Sequence, residues 1–348
     1  MKFKNQNSKL MNKFQRLTQI EYKEKLEKTL FKTFFHNPEW HDFLEKEFKW
    51  LKFEYYLYGS NRRDGKDEAI LPFARFRVLG KEKLVSLPFC EYGGPLPLRN
   101  EISFDEFFID AISGFGKNIK IRFHPGLLDY FIVPDPAPFI SNMTTNWIKD
   151  LITVDEKQLL ASFRKTLRYE IRDARQKNIL IKKCENAKEL KQFYGLYFAN
   201  LKRRKTVPYP FSIFEFLYHN PNAEIILAAL NGKIVGGNLF LNYGKFTHYF
   251  FSAFDYYYRD FGISYLLVWD KIKNLIGQDK ILDLGASPKD SSLDIFKRGW
   301  GGTEYPILQL GIKRSEESLR LSKLRNIWSL LPDFVVKKLS PRLIKYRL

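Results

Sequence analysis

The sequence predicts an α/β protein of mixed sheets, built from two tandem copies of one unit with a cleft between them. Three observations carry that expectation. Short aromatic and β-branched runs alternate with segments of helical period. Asn231-Gly232 separates two such runs, the strongest short signal for a hairpin. The order of elements also recurs at one offset. LVSLPFCEY (84–92) and FTHYFFSAF (246–254) lie 162 positions apart, as do NIKIRFHP (118–125) and KILDLGAS (280–287). In each half a helical segment joins the two strands, a period far too long for a solenoid. The 348 residues suit two domains at roughly 100–200 residues each. The expected divisions are a basic N-terminal segment (1–33), a first unit (34–140), a second unit (141–312) and a basic C-terminal tail (313–348).

In chain order, FFHNPEWHDFLEKEF (34–48) reads as a helix with Asn37 as N-cap and Pro38 at its first position. KFEYYLYG, EAILPFARFRVLG and KLVSLPFCEYGGPLPL follow as strands broken by Gly and Pro. Residues 103–116 form a helix and 117–125 a strand. The Pro-rich VPDPAPF (133–139) is the linker candidate, placing the boundary near Asp135. In the second half, 155–178 reads as one long charged helix and 189–204 as another. A hairpin spans 223–244, a strand 246–255, a helix 264–277 and a strand 280–287.

Composition excludes several classes. Hydrophobic residues at 45% and charged ones at 28% rule out wholesale disorder. Cys90 and Cys184 alone make no disulfide framework, which suits a reducing compartment. The N-terminus lacks a signal-peptide core, and no run of about 18 apolar residues offers a spanning helix. The expectation is a soluble, cytoplasmic protein, peripheral at most to the inner membrane face.

The net charge of +19 suggests an anionic partner, though a bias toward Lys, Phe, Tyr, Asn and Ile produces the same total. Its distribution says more. Residues 1–32 hold +6 and residues 313–348 hold +7, leaving +6 for the 280 between. Leu319, Leu321, Leu324, Ile327, Trp328, Leu331 and Val335 give the C-terminal stretch a basic amphipathic pattern. It can lie on a membrane or pack back on the protein.

The five His and two Cys show no metal-ligand spacing, and GxSxG, Walker and GxGxxG motifs are absent. Five features remain. Arg259-Asp260-Phe261-Gly262-Ile263-Ser264 is a Gly-containing loop opening a helix, where free N–H groups and a cation meet phosphate. Asp283 ends a strand, where ligands gather in α/β sheets, and can accept a proton from an amine or serve as a turn or cap. Lys297-Arg298-Gly299-Trp300-Gly301-Gly302 combines cations with close backbone approach, fit for an oxyanion or a phosphate. Tyr92-Gly93-Gly94-Pro95 and Tyr249 are candidates to line a cleft, with Trp300 as an apolar wall. Arg164, Arg168, Arg172 and Arg175, at spacings of 4, 4 and 3, would share one helical face, either solvated or against RNA or phosphate.

LVSLPFCEYGGPL, FRKTLRYEIRDARQKN, GKIVGGNLFLNYG, YYYRDFGISYLLVWDKI, ILDLGAS and FKRGWGG occur in this order in the FemAB-like and BioF2-like acyltransferases of the GNAT superfamily. The chain resembles that group over residues 34–312. The resemblance implies tandem GNAT-like domains and transfer of an acyl or aminoacyl group to an amine of a cell-envelope sugar or peptidoglycan-type precursor. Acyl-CoA or aminoacyl-tRNA would be co-substrate, with no cofactor bound permanently. It implies that Lys297 stands at the reacting carbonyl. It also matches Arg259, Gly262, Ile263 and Ser264 to the donor-phosphate loop R/Q-x-x-G-x-G/A, with Arg298 beside them; Ser264 departs from that pattern. The coiled-coil insertion common in FemAB-type proteins has no heptad run here.

Overall fold

The computed structural model describes residues 13–347 apart from 30, 60–67, 100, 101, 117, 130, 133–139, 312–327 and 329. The chain divides into two compact units. The first is Met1–Thr144 with Pro306–Ser315, and the second is Thr145–Tyr305 with Glu316–Arg347. The linker candidate and Asp135 lie outside the described residues, as do Leu319, Leu321, Leu324 and Ile327.

In the first unit, β1 (Phe14–Leu17), β2 (Lys52–Tyr58), β3 (Ala69–Val78) and β4 (Lys81–Val85) pair antiparallel in sequence. β5 (Leu96–Pro97) pairs with β3, while β6 (Ile102–Ser103) and β8 (Phe131–Ile132) pair parallel to one another. β7 (Ile119–Arg122) runs parallel to β4 and takes the end of β15 (Thr303–Gly311) antiparallel on its other side. Among the described residues three α-helices accompany the sheet: α1 (Gln19–Leu26), α2 (Pro38–Glu47) and α3 (Phe104–Phe115). Asn37 caps α2 as expected, its Oδ1 accepting from Glu39 N at 3.1 Å, with Pro38 at the first position. Phe107 and Ala111 of α3 pack on Phe14, Tyr58, Phe73, Ile119 and Ile121.

Two expectations change here. From Phe14 on, the basic N-terminal segment is part of the unit. Phe14 and Leu17 are buried on β1, Tyr22 and Leu26 on α1, and Lys13 pairs with buried Asp110 at 2.9 Å. The apolar spacing within the basic run decides this. The strand expected over 84–92 stops at Val85, because Pro88 lacks an N–H and Leu87 and Phe89 adopt φ of 53° and 63°.

In the second unit the sheet order is β9-β14-β13-β12-β11-β10. These are β9 (Ile140–Ile148, entering the unit at Thr145), β10 (Leu180–Lys183), β11 (Ala223–Leu230), β12 (Lys233–Tyr243), β13 (Phe246–Phe254) and β14 (Ile281–Pro288). The β11–β12 hairpin turns at Asn231 and Gly232, with φ of 49° and 76°, the two left-handed residues that a type I′ turn needs. Helices α4 (Glu156–Ser162), α5 (Lys165–Arg175) and α8 (Ile263–Leu275) share a core with Val235, Phe240, Leu282 and Leu284. On α6 (Ala187–Arg203) and α7 (Phe211–Tyr218), Tyr197 and Phe214 meet Phe251 of β13, each at 5.0 Å. α9 (Ser292–Arg298) follows β14, and α10 (Asp333–Leu343) closes the chain.

The long helix expected over 155–178 is two helices. Phe163 and Arg164 are extended at the break, and Phe163 turns inward to meet Trp269 and Trp300 edge-on at 5.7 Å. The described C-terminal residues pack on the unit: Trp328, Val336 and Ile344 are buried, and Lys202 pairs with Asp333 at 2.6 Å. Among the described residues no helix is long and apolar enough to cross a membrane. The duplication appears in the pairing itself. Leu84 lies opposite Ile119, and Phe246 opposite Ile281, in the two parallel pairs, 162 residues apart at both positions.

Burial near α2 fixes an acid sensitivity. His36 accepts from Thr33 N at 3.1 Å through Nδ1. His41 donates from Nε2 to Phe35 O at 2.8 Å and accepts from the Tyr55 hydroxyl at Nδ1, 3.0 Å away. Burial pushes both imidazoles down to about 3, so both are neutral in the fold. Between about pH 6.5 and pH 3 the unfolded chain binds two more protons than the native one. Stability present above pH 6.5 is therefore lost on acidification, at about 1.4 kcal/mol per pH unit per group. Urea unfolding at pH 7.5 and 5.0 checks this: the lower pH gives the lower midpoint, and a flat profile contradicts neutral burial.

Candidate active site

β13 and β14 pair over only three residues: Phe246 with Ile281, Thr247 with Leu282, His248 with Asp283. β13 continues to Phe254 and β14 to Pro288. Past the last pair, side chains meet the backbone of β14. Asp283 Oδ1 accepts from Gly285 N at 2.8 Å and from Thr145 Oγ1 at 2.7 Å, while Oδ2 meets His248 Nδ1 at 2.8 Å. Lys297 Nζ donates to Gly285 O at 2.8 Å and Ala286 O at 3.0 Å. Asp283 and Lys297 are 1% and 4% exposed. A carboxylate, an imidazole and an ammonium thus converge on β14 residues 283–286.

α9 sets the position of Lys297. Ser291 caps it, accepting from Asp294 N at 3.2 Å. Buried Asp294 accepts from Asp290 N at 3.0 Å and from Ser287 Oγ at 3.4 Å, tying the first turn of α9 to the end of β14. Lys297, three residues on, shares that face of the helix. Arg298 points elsewhere: it pairs with Asp290 at 3.0 Å, Asp294 at 3.2 Å and Glu304 at 3.6 Å, so carboxylates already surround its guanidinium. Asp283, placed by the sequence as a proton acceptor, instead receives hydrogen bonds at both oxygens. Its geometry is that of a group holding His248 and Gly285 in place.

The expected donor loop lies where β13 passes into α8. Gly262 has φ 68° at the N-cap of α8, with no side chain to cap the following N–H groups. Ile263 is buried, Ser264 is half-buried at the next position, and Arg259 is 52% exposed beside Asp260 at 3.4 Å. The glycine has a packing reason too, since a Cβ there would lie 2.7 Å from Ala174 Cβ on α5. Of the arginine stripe, Arg168, Arg172 and Arg175 lie exposed on α5. Arg164 sits outside the helix, and a Cβ on Gly299 would stand 2.8 Å from its Nη2. Arg175 pairs with Glu156 at 3.7 Å.

The residues expected to line a cleft are core residues. Trp300 is buried between Phe163, Tyr265 and Phe296. Tyr249 is buried on β13 with its hydroxyl 3.4 Å from Asn238 Oδ1, and burial pushes it up to about 12. Tyr92 is buried edge-on to His124 at 4.8 Å in the first unit. Gly93 packs so closely on Leu87 that a Cβ would lie 2.5 Å from its Cβ, and Gly94 has φ 139° beside Leu71. Two residues the sequence reading missed are His248 and Thr145. Nothing in the sequence pairs 246 with 281, and that pairing is what puts His248 opposite Asp283.

Residues 161–298 match the acetyltransferase (GNAT) domain family. The chain carries a GNAT acyltransferase domain. That domain runs from the break before α5 to Arg298 and encloses Asp283, His248, Lys297 and the loop at Gly262. FemX is similar in structure, with a TM-score of 0.57 at 14% identity, over 89% of this chain and 99% of that one. L-PGS from Bacillus licheniformis gives 0.51 at 11% identity, over 90% and 98%. Likeness at such identities is a likeness of fold, and it extends the FemAB-like architecture over nearly the whole chain. No curated protein matches the sequence. Within the GNAT domain, Gly262→Ala is expected to cost about 1–3 kcal/mol, from left-handed strain and contact with Ala174. Denaturant unfolding measures it, and wild-type stability would show that α5 and α8 give way there.

Proposed function

We propose that this GNAT acyltransferase moves an acyl or aminoacyl group onto an amino group of a cell-envelope sugar or peptidoglycan-type precursor at the inner membrane face. The observation that supports the reading is the buried ammonium of Lys297, held by two carbonyls where β14 leaves β13. The acceptor amine attacks the carbonyl carbon of the donor, and the C–N bond forms. The carbonyl oxygen becomes an oxyanion facing Lys297, preorganised so that little reorganisation accompanies charge development. The C–O bond of an aminoacyl ester, or the C–S bond of a thioester, then breaks. The leaving group departs as alcohol or thiol with the proton that the amine gives up through water. Asp283 is a positioning residue here, and no covalent enzyme intermediate is required.

Arg259 and the N–H groups at Gly262, Ile263 and Ser264 would hold the donor's phosphate, whether of aminoacyl-tRNA or of acyl-CoA. Membership of residues 161–298 in the acetyltransferase (GNAT) domain family favours a second reading: an acyl-CoA-dependent N-acetyltransferase on a small amine or amino sugar. Incubation with each donor separates the readings, because the true donor raises the melting temperature in proportion to its concentration over Kd.

Lys297→Met is expected to lower kcat by about a hundredfold to a thousandfold with KM for the donor little changed, while the melting temperature falls only modestly. Single-turnover kinetics with whichever donor stabilises the protein makes the measurement. Wild-type turnover of a folded Met variant would remove Lys297 from the reaction.

A further inference from the structure

α10 meets the second unit with Val336 and Ser340, and the residues after it with Ile344, all buried. The opposite face carries Phe334, Lys338 and Arg342 at intervals of four, all exposed. Phe334 is 72% exposed, and Leu330, just before the Pro332 that caps the helix, is 83% exposed. These are two of the most solvent-exposed large apolar side chains described, and they stand four residues apart. Lys202–Asp333 at 2.6 Å, with Lys337 Nζ 5.0 Å from the Phe198 ring, fixes α10 against the C-terminal end of α6. There Arg203, Arg204 and Lys205 are exposed as well. Residues 202–205 and 330–347 together hold nine cations and one carboxylate, Asp333.

We propose that this face of α10, with the end of α6, docks on an anionic lipid bilayer. Phe334 and Leu330 enter the headgroup–acyl boundary, and the surrounding Lys and Arg meet lipid phosphates. Charge alone suits any polyanion. The exposed leucine decides between partners, because it has no ring to stack on a base and no donor for a phosphate, whereas it gains from an acyl layer. The inference deepens the placing of the reaction at the inner membrane face. It concerns a surface that carries none of Asp283, His248 or Lys297, so a test without donor or acceptor can fail while the acyl-transfer reading stands.

The test is co-sedimentation of the full chain with vesicles, without donor or acceptor, at about 0.1 M salt, where the Debye length is about 10 Å. Vesicles containing phosphatidylglycerol are expected to bind it, and pure phosphatidylcholine vesicles to leave it in solution. The double variant Leu330→Ser/Phe334→Ser should lower binding about tenfold, and Lys338→Glu/Arg342→Glu by at least as much. Both should keep the wild-type melting temperature, because all four side chains are exposed. Failure of the wild-type chain to bind phosphatidylglycerol vesicles overturns the proposal, as does wild-type binding by the Ser/Ser variant. Binding of a structured RNA that competes with vesicles, and that the Ser/Ser variant retains in full, would assign the surface to nucleic acid instead.

Discussion

The early parting of β13 and β14 is the constraint on which the second unit depends. Two central parallel strands that separate after three residues leave β14 with polar groups needing partners from outside that pair. Gly285 shows the solution. Its N–H goes to the Asp283 carboxylate, two residues back on the same strand, and its carbonyl goes to the Lys297 ammonium from the helix that follows. Gly285 itself has φ 72°, a conformation that turns these groups toward side chains at little steric cost. The strand end is therefore completed by two charged side chains.

Those charges carry consequences. Two carbonyls of β14 hold the Lys297 ammonium, so what keeps β14 in place also fixes that side chain beside the strand end. Lys271, the other buried lysine among the described residues of this unit, makes the contrast. It faces Glu224 at 2.5 Å; burial pushes that carboxyl up, and the contacts of Lys271 and Lys183 together outweigh it and hold the carboxyl below its usual range. That pair serves the packing of α8 on β11, whereas Lys297 donates to two carbonyls of β14. Asp294 and Arg298 complete the arrangement: one ties α9 to β14, and the other pairs with Asp290, Asp294 and Glu304.

Much of the fold was legible because local signals and packing agree. The Asn37-Pro38 helix start, the Asn231-Gly232 turn and the strand–helix–strand order at one offset each follow from residue chemistry within a few positions. The misreadings arose where long-range packing overrode a local pattern. Helical period runs unbroken through Phe163, yet two buried tryptophans draw that ring inward and break the helix. Trp300 and Gly299 look like a binding loop in sequence because small and aromatic residues alternate, but they serve close packing. Lys297 was legible as a motif. Its partners were not, since Gly285 and Ala286 reach it only through the approach of α9 to β14.

The duplication gives the remaining argument. In the same register, the first unit places Ile121 where the second places Asp283, and Ser86 where it places His248. Ile121 is fully buried among Phe107, Ile119 and Leu308, and Ser86 Oγ accepts from Arg122 N at 3.0 Å. The first copy thus meets the same parallel pair with an apolar side chain and one hydroxyl–backbone hydrogen bond. A buried aliphatic there stabilises without needing donors; a buried aspartate must be surrounded by them, as Thr145, His248 and Gly285 do. One backbone register is compatible with either solution. The second places a buried carboxylate and imidazole side by side there, where the first has Ile121 and Ser86.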